Sequence, residues 1–196
     1  MLPVLLVHGI DDTAARMKHI QRALLAAGFP HVRAMQISPP DGSIPLEAMG
    51  AQVRQEAAQL LFASGAAQVD VVAYSMGALA TRYFIQRLGG QALVRRYISL
   101  AAPHHGTYLA YLRPNAGARQ MRPGSALLQA LNADRASWGQ VEVYSFWSPF
   151  DLMVRPARSA QLEWAHDRRF NVLLHPWMSS DRRVIRAVVE SLGDEK

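Results

Sequence analysis

Val69-Asp70-Val71-Val72-Ala73-Tyr74-Ser75-Met76-Gly77-Ala78-Leu79-Ala80-Thr81-Arg82-Tyr83 is a β-branched apolar run that ends in Ala-Tyr-Ser-Met-Gly and passes at once into a helix-compatible segment. This is the strand–turn–helix setting in which a serine sits on a sharp, strained turn at the top edge of a sheet. Such a turn brings strand and helix too close for large side chains, so Ala73 and Gly77 fit where bulk would clash. The helix that begins here also points its unpaired N–H groups and positive dipole end toward the turn. Alone, the five residues read equally well as a buried strand followed by a helix-capping serine. The rest of the chain decides between the two.

Outward from that stretch, apolar runs and helical patterns alternate. Residues 3–7 are wholly apolar, as in strands buried on both faces of a parallel sheet, and they end in His8-Gly9-Ile10. Asp11, Asp12 and Thr13 stand where they can cap a helix carrying Met17, Ile20 and Leu24 on one side. A weak strand over 32–37 closes at Pro39-Pro40-Asp41-Gly42, and a helix over 45–63 aligns Leu46, Met49, Val53, Leu60 and Leu61 as core. Further strands are expected over 97–100, 141–146 and 170–174, with a terminal helix carrying Val184, Val188 and Leu192. Residues 108–140 carry no strand signal. The alternation predicts an α/β chain: a central, mainly parallel sheet of about six strands with helices on both faces. We expect residues 1–196 to form a single domain, with 108–135 as a small cap segment. Ligands of such sheets bind at the carboxyl ends of the strands, where every segment of interest here falls.

Composition narrows the function classes. Of 196 residues, 50% are hydrophobic and 18% charged, which excludes a disordered chain. With no cysteine, disulfides, thiolate metal sites and a cysteine nucleophile are excluded. The formal charge is +6, yet the arginines are scattered without a basic run or aromatic-basic module, which argues against a nucleic-acid partner. No apolar run approaches the ~20 residues of a membrane span. The start enters a strand-like run without a basic leader, so the expectation is a cytoplasmic protein, with secretion after leader removal as the alternative.

A nucleophilic serine needs a base, and the base needs an orienting acid. His19 and His31 read as surface groups, and His166 precedes its strand, at the wrong end of the sheet. His8, His104, His105 and His175 fall at the productive end. Sites built on this turn run serine, acid, histidine along the chain, which selects His175. Asp151, five residues after Phe146, has the correct end and order for the acid; its other reading is a turn aspartate beside Pro149. Asp70, Asp134, Asp167 and Asp181 fail on position. Two backbone N–H groups, of Met76 and Ile10, stand where an oxyanion would form. Gly9 lets that loop come close, and His8 reads as its brace.

Together these pieces resemble an α/β-hydrolase of the compact bacterial lipase/esterase group. The matching segments are Val7-His8-Gly9-Ile10, Ala73-Tyr74-Ser75-Met76-Gly77, Pro103-His104-His105-Gly106-Thr107, Met121-Arg122-Pro123-Gly124-Ser125, Asp151-Leu152-Met153-Val154 and His175. They span nearly the whole chain. The resemblance implies hydrolysis of carboxylic esters through an acyl-enzyme on Ser75, with neither metal nor organic cofactor. Two positions depart from the family pattern: Tyr74 replaces the usual histidine before the serine, and the base follows Leu174 rather than glycine. Tyr74 is expected to point into the scaffold. Around acid and base, Trp147, Phe150, Leu152 and Trp177 read as walls of an acyl groove for a lipophilic ester or lipid, with transient contact to a lipid surface; ordinary core packing is the competing reading. No obligate protein partner is inferred. An acyltransferase or thioesterase with the same three residues is the alternative enzyme, and a noncatalytic binding protein on the same fold is the alternative class.

Overall fold

The computed structural model describes residues 1–193. Six strands form one sheet: β1 (Val4–Val7), β2 (Val32–Met35), β3 (Val69–Tyr74), β4 (Val94–Leu100), β5 (Glu142–Trp147) and β6 (His166–Arg169). Their order is β2-β1-β3-β4-β5-β6, and every neighbouring pair runs parallel. The helices are α1 (Lys18–Ala26), α2 (Leu46–Ser64), α3 (Met76–Arg87), α4 (Ala116–Gln120), α5 (Ala126–Ala133) and α6 (Arg182–Leu192).

Side-chain alternation explains the two-faced sheet. In β1, Leu5 and Val7 enter a core shared with α2 and α3, whereas Val4 and Leu6 enter the opposite core with α1 and α6. In β3 the same alternation sends Val69, Val71 and Ala73 one way and Val72 and Tyr74 the other. Both strands are buried throughout. Burying one such Val or Leu contributes about 1.5–3 kcal/mol, against about 1 kcal/mol net for a hydrogen bond. Side-chain burial therefore fixes the centre of the sheet more than its ladder does.

Because β2 and β3 lie on opposite sides of β1, the chain reverses its winding between β1 and β3. The loops leaving those two strands part from each other there, opening a crevice at the carboxyl edge. Ser75 and Ile10 both stand at that point.

Two elements differ from the sequence reading. The last strand is His166–Arg169 rather than 170–174. Phe170 and Val172 are buried in the α1/α6 core, which mimics a strand's alternation, while the true edge strand exposes His-Asp-Arg-Arg. Charged side chains are what an unpaired edge favours, and they hide the strand from a hydrophobicity argument. The first helix is also entered through a 3-10 turn, Ala14–Met17, that Thr13 does not cap; Asp12 instead accepts from the Thr13 N–H and ion-pairs with Arg16. Among the described residues no helix is long and apolar enough to cross a membrane.

Candidate active site

Ser75 occupies φ 53°, ψ −125°, between the end of β3 and the first residue of α3. A non-glycine residue at that φ is strained, and the surroundings hold it there. Its N–H donates to Leu100 O at 2.9 Å. A Cβ on Gly77 would lie 2.0 Å from His8 O, so glycine is obligatory at that position. On Gly9, a Cβ would lie 3.0 Å from the Ser75 Cβ and 3.1 Å from the Tyr74 ring, so this glycine lets the β1 loop reach the serine turn.

His175 begins a 3-10 turn, His175–Ser179, beyond β6. Its Nε2 lies 3.0 Å from Ser75 Oγ and its Nδ1 2.6 Å from Asp151 Oδ2. An ionised carboxylate only accepts, so Nδ1 carries the proton and Nε2 is the acceptor facing the serine hydroxyl. The other Asp151 oxygen, Oδ1, accepts from the Met153 and Val154 N–H groups at 2.8 and 3.0 Å. One oxygen is thus anchored to backbone and the other is free to orient the imidazole. All three side chains are buried.

Two hydroxyls outside this trio tie its loops together, and the sequence reading assigned neither. Ser148 Oγ donates to Val172 O at 2.6 Å and accepts from the Phe150 and Val172 N–H groups, joining the Asp151 turn to the loop before His175. Thr107 Oγ1 donates to Met153 O at 2.8 Å and accepts from the Arg155 N–H at 2.9 Å, joining the Asp151 turn to the segment after β4. Thr107 closes the quoted Pro-His-His-Gly-Thr motif, and Ser148 precedes Pro149, so position hinted at both.

Neither the Met76 N–H nor the Ile10 N–H meets a protein acceptor among the described residues. Met76 is the first residue of α3, where N–H groups lack helical partners and the dipole is positive. The loop bearing Ile10 is braced as expected: His8 donates from Nδ1 to Gly9 O at 2.8 Å and accepts at Nε2 from the Ile37 N–H at 3.0 Å. Burial lowers the His8 pKa, in keeping with a neutral ring.

The remaining candidates fall elsewhere. His104 is fully buried against Ser99 Oγ at 3.0 Å, and burial holds it well below its ordinary pKa. His166 opens β6 and stacks on Tyr144. Asp70 takes Arg95 on both carboxylate oxygens at the opposite end of β3. Of the residues expected to wall a groove, Phe150, Leu152 and Trp177 are 45%, 62% and 50% exposed. Trp147 is buried, donates its indole N–H to Asp167, and packs with Val154 and Ala160. Tyr108, Tyr111 and Leu112, whose exposure the sequence did not signal, add apolar surface beyond β4. Among the described residues no group of three metal-ligating side chains comes together.

A family model described as palmitoyl protein thioesterase matches residues 3–143, a span that includes Ser75 but ends before Asp151 and His175. No curated protein matches the chain significantly in sequence. Among solved structures, the product of the gene lin2722 from Listeria innocua covers 100% of this chain and 95% of its own at 12% identity, TM-score 0.78. Aspergillus fumigatus lipase B is 17% identical over 99% of this chain and 53% of its own, TM-score 0.81. Mature Bacillus licheniformis lipase BlEst2 is 13% identical over 97% and 91%, TM-score 0.81. At such identities these likenesses speak to the fold.

Proposed function

The chain belongs to the palmitoyl protein thioesterase family, on an α/β-hydrolase fold, and from that premise we propose that it is a serine hydrolase cleaving acyl esters through an acyl-enzyme on Ser75. His175 Nε2 takes the Ser75 proton as Oγ attacks the acyl carbon. The Met76 and Ile10 N–H groups receive the oxyanion. Asp151 keeps the imidazole in its Nδ1-H tautomer and stabilises the imidazolium. Collapse of the tetrahedral adduct expels the alcohol or thiol, protonated by His175. Water, deprotonated by the same nitrogen, then attacks the acyl-enzyme and releases the carboxylic acid. No metal or organic cofactor enters these steps.

The observation that carries this reading is the hydrogen-bond chain from Ser75 through His175 to Asp151 beside two unengaged N–H groups. The exposed Phe150, Leu152 and Trp177 support a lipophilic acyl chain lying along the acid and base turns, while Trp147 is buried with Val154 and Ala160. We read the chain as one hydrolase unit in which 108–135 borders the site as a cap. That segment is tied down by the Arg113–Asp11 ion pair and by the Tyr108 N–H donating to Arg155 O at 2.9 Å.

A thioester substrate is the second reading, favoured by the description of the matching family. A fluorophosphonate probe tests the serine: wild-type protein should label and Ser75→Ala should not. An unlabelled wild type sinks the proposal. Octanoyl esters of matched oxygen and sulfur leaving groups then rank the two readings by kcat/KM.

A further inference from the structure

Arg82, in the second turn of α3, is the largest fully buried side chain among the described residues, at 1% exposure. Among the described residues no carboxylate pairs with it. Its Nε donates to Gln86 Oε1 at 2.7 Å, Nη1 has no partner, and its guanidinium lies 5.8 Å from the Trp138 ring centre. Burial pulls its pKa down to about 10, so the group is cationic at neutral pH. Gln86 in turn donates to Leu131 O, Asp134 O and Ser137 Oγ, which fixes the wall opposite α3. A buried charge without a counter-charge is costly, and neutral acceptors offset only part of that cost.

Arg82 lines a cavity of about 280 Å³ whose walls include Trp138, Trp164 and Asn132. Asn132 Oδ1 is likewise buried without a partner. Arg135 stands over the Trp164 ring at 5.0 Å and adds a second positive charge. Glu163, the one carboxylate lining the cavity, is solvent-exposed and makes no ion pair with Arg82. Ser75, Asp151 and His175 do not line it. A single water on Arg82 would satisfy a donor and leave the charge uncompensated. A carboxylate meets both needs, because its two oxygens match the planar fork of a guanidinium. The indole walls favour an apolar body behind that head.

We propose that this cavity is a second binding site, for a small apolar carboxylate seated on Arg82 with its body against Trp138 and Trp164. Benzoate is the probe and benzamide its uncharged counterpart, read by intrinsic tryptophan fluorescence and by Tm. Benzoate should give a saturable fluorescence change with a Kd of about 1 mM or tighter, and should raise Tm. Benzamide should bind at least about tenfold more weakly. Protein phosphonylated at Ser75 should bind benzoate unchanged, which separates this site from the hydrolytic one. Arg82→Met should lose the benzoate response and keep its esterase activity. Should Arg82→Met not fold, Trp164→Ala, in a half-buried wall, should weaken benzoate by about tenfold. No saturable response in the wild type, equal binding of benzamide, loss on phosphonylation, or an unchanged response in a folded variant each overturns the proposal.

Discussion

Tyr74 sets its ring 5.0 Å from that of His175, tilted by 38°, while its other face packs into the α1/α6 core. The residue before the serine, which departs from the histidine of the lipase/esterase pattern that the sequence resembles, therefore packs here as a wall beside the imidazole. Burial pushes its phenol pKa well up, and the nearby Asp151 charge adds to this, so the ring stays neutral beside the imidazole. Ring area should matter and the hydroxyl should not. Tyr74→Phe should keep kcat within about twofold, and Tyr74→Leu should lower it by about tenfold with KM little changed, as expected when a catalytic group is slightly misplaced. Equal kcat in the two variants would remove the wall from the argument.

Asp151 divides its oxygens between backbone and imidazole. Replacing it by asparagine keeps the backbone acceptor and changes only the group facing His175. Asp151→Asn should therefore fold with a Tm near wild type and lose about 10³–10⁴ in kcat. The proposed mechanism makes the three residues act as a unit, so Ser75→Ala combined with His175→Ala should be no worse than Ser75→Ala alone. Additive losses in that double variant would show independent roles.

Ser148 spends its hydroxyl on both sides of the gap between the Asp151 and His175 loops, and it is buried. Ser148→Ala leaves Val172 O and two N–H groups without that partner, at a cost of about 1–3 kcal/mol. Denaturant unfolding should register that loss. The more telling readout is kcat, which should fall while KM holds, because the hydroxyl sets the Asp151–His175 distance rather than the groove. A fall in stability with kcat intact would make Ser148 a purely structural residue.

The serine turn was legible because strain leaves a compositional mark: small residues at Ala73 and Gly77, with the Gly77 position closed by His8 O. The choice of His175 rests on chain order and sheet edge, neither of which depends on where the strand before it is drawn, and the structure brings its ring to Ser75 and Asp151. That misplacement has a plain cause. Phe170 and Val172 are buried by a loop, and the edge strand His166–Arg169 exposes every side chain, so hydrophobicity points to the wrong five residues. Ser148, Thr107 and Arg82 escaped for another reason. Their work depends on which carbonyls and cavities lie opposite them, and a single chain's pattern does not encode those long-range partners.

Gly77 offers the sharpest test of packing. A Cβ there would meet His8 O at 2.0 Å and Val7 Cγ1 at 2.9 Å, both in the central sheet and its outgoing loop. Neither neighbour is the far end of a flexible side chain. Gly77→Ala should thus cost about 3 kcal/mol or more, at the upper end of overpacking changes, and should displace the β1 loop if it folds. Gly65→Ala, where no atom lies within 4 Å of the added carbon and φ is +69°, is the control for a cost due to backbone conformation alone. Equal destabilisation of the two variants would contradict the close-approach argument.

His8 makes the loop after β1 sensitive to acid. Its Nε2 must be unprotonated to accept from the Ile37 N–H, and burial lowers its pKa from 6.5. Between that lowered value and 6.5 the unfolded chain binds the proton and the folded chain does not. Unfolding therefore takes up protons in this window, and stability falls as pH falls below 6.5 and is level above it. His104, buried and lowered in the same direction, adds to the slope. Asp70, raised by burial, opposes it toward the acid end. His8→Gln supplies an amide oxygen that does not titrate in this range. The variant's Tm should decline less than that of the wild type between pH 7 and pH 5, with the gap opening below 6.5. Parallel Tm profiles for the two proteins would show that the His8 ring does not carry the acid sensitivity of this loop.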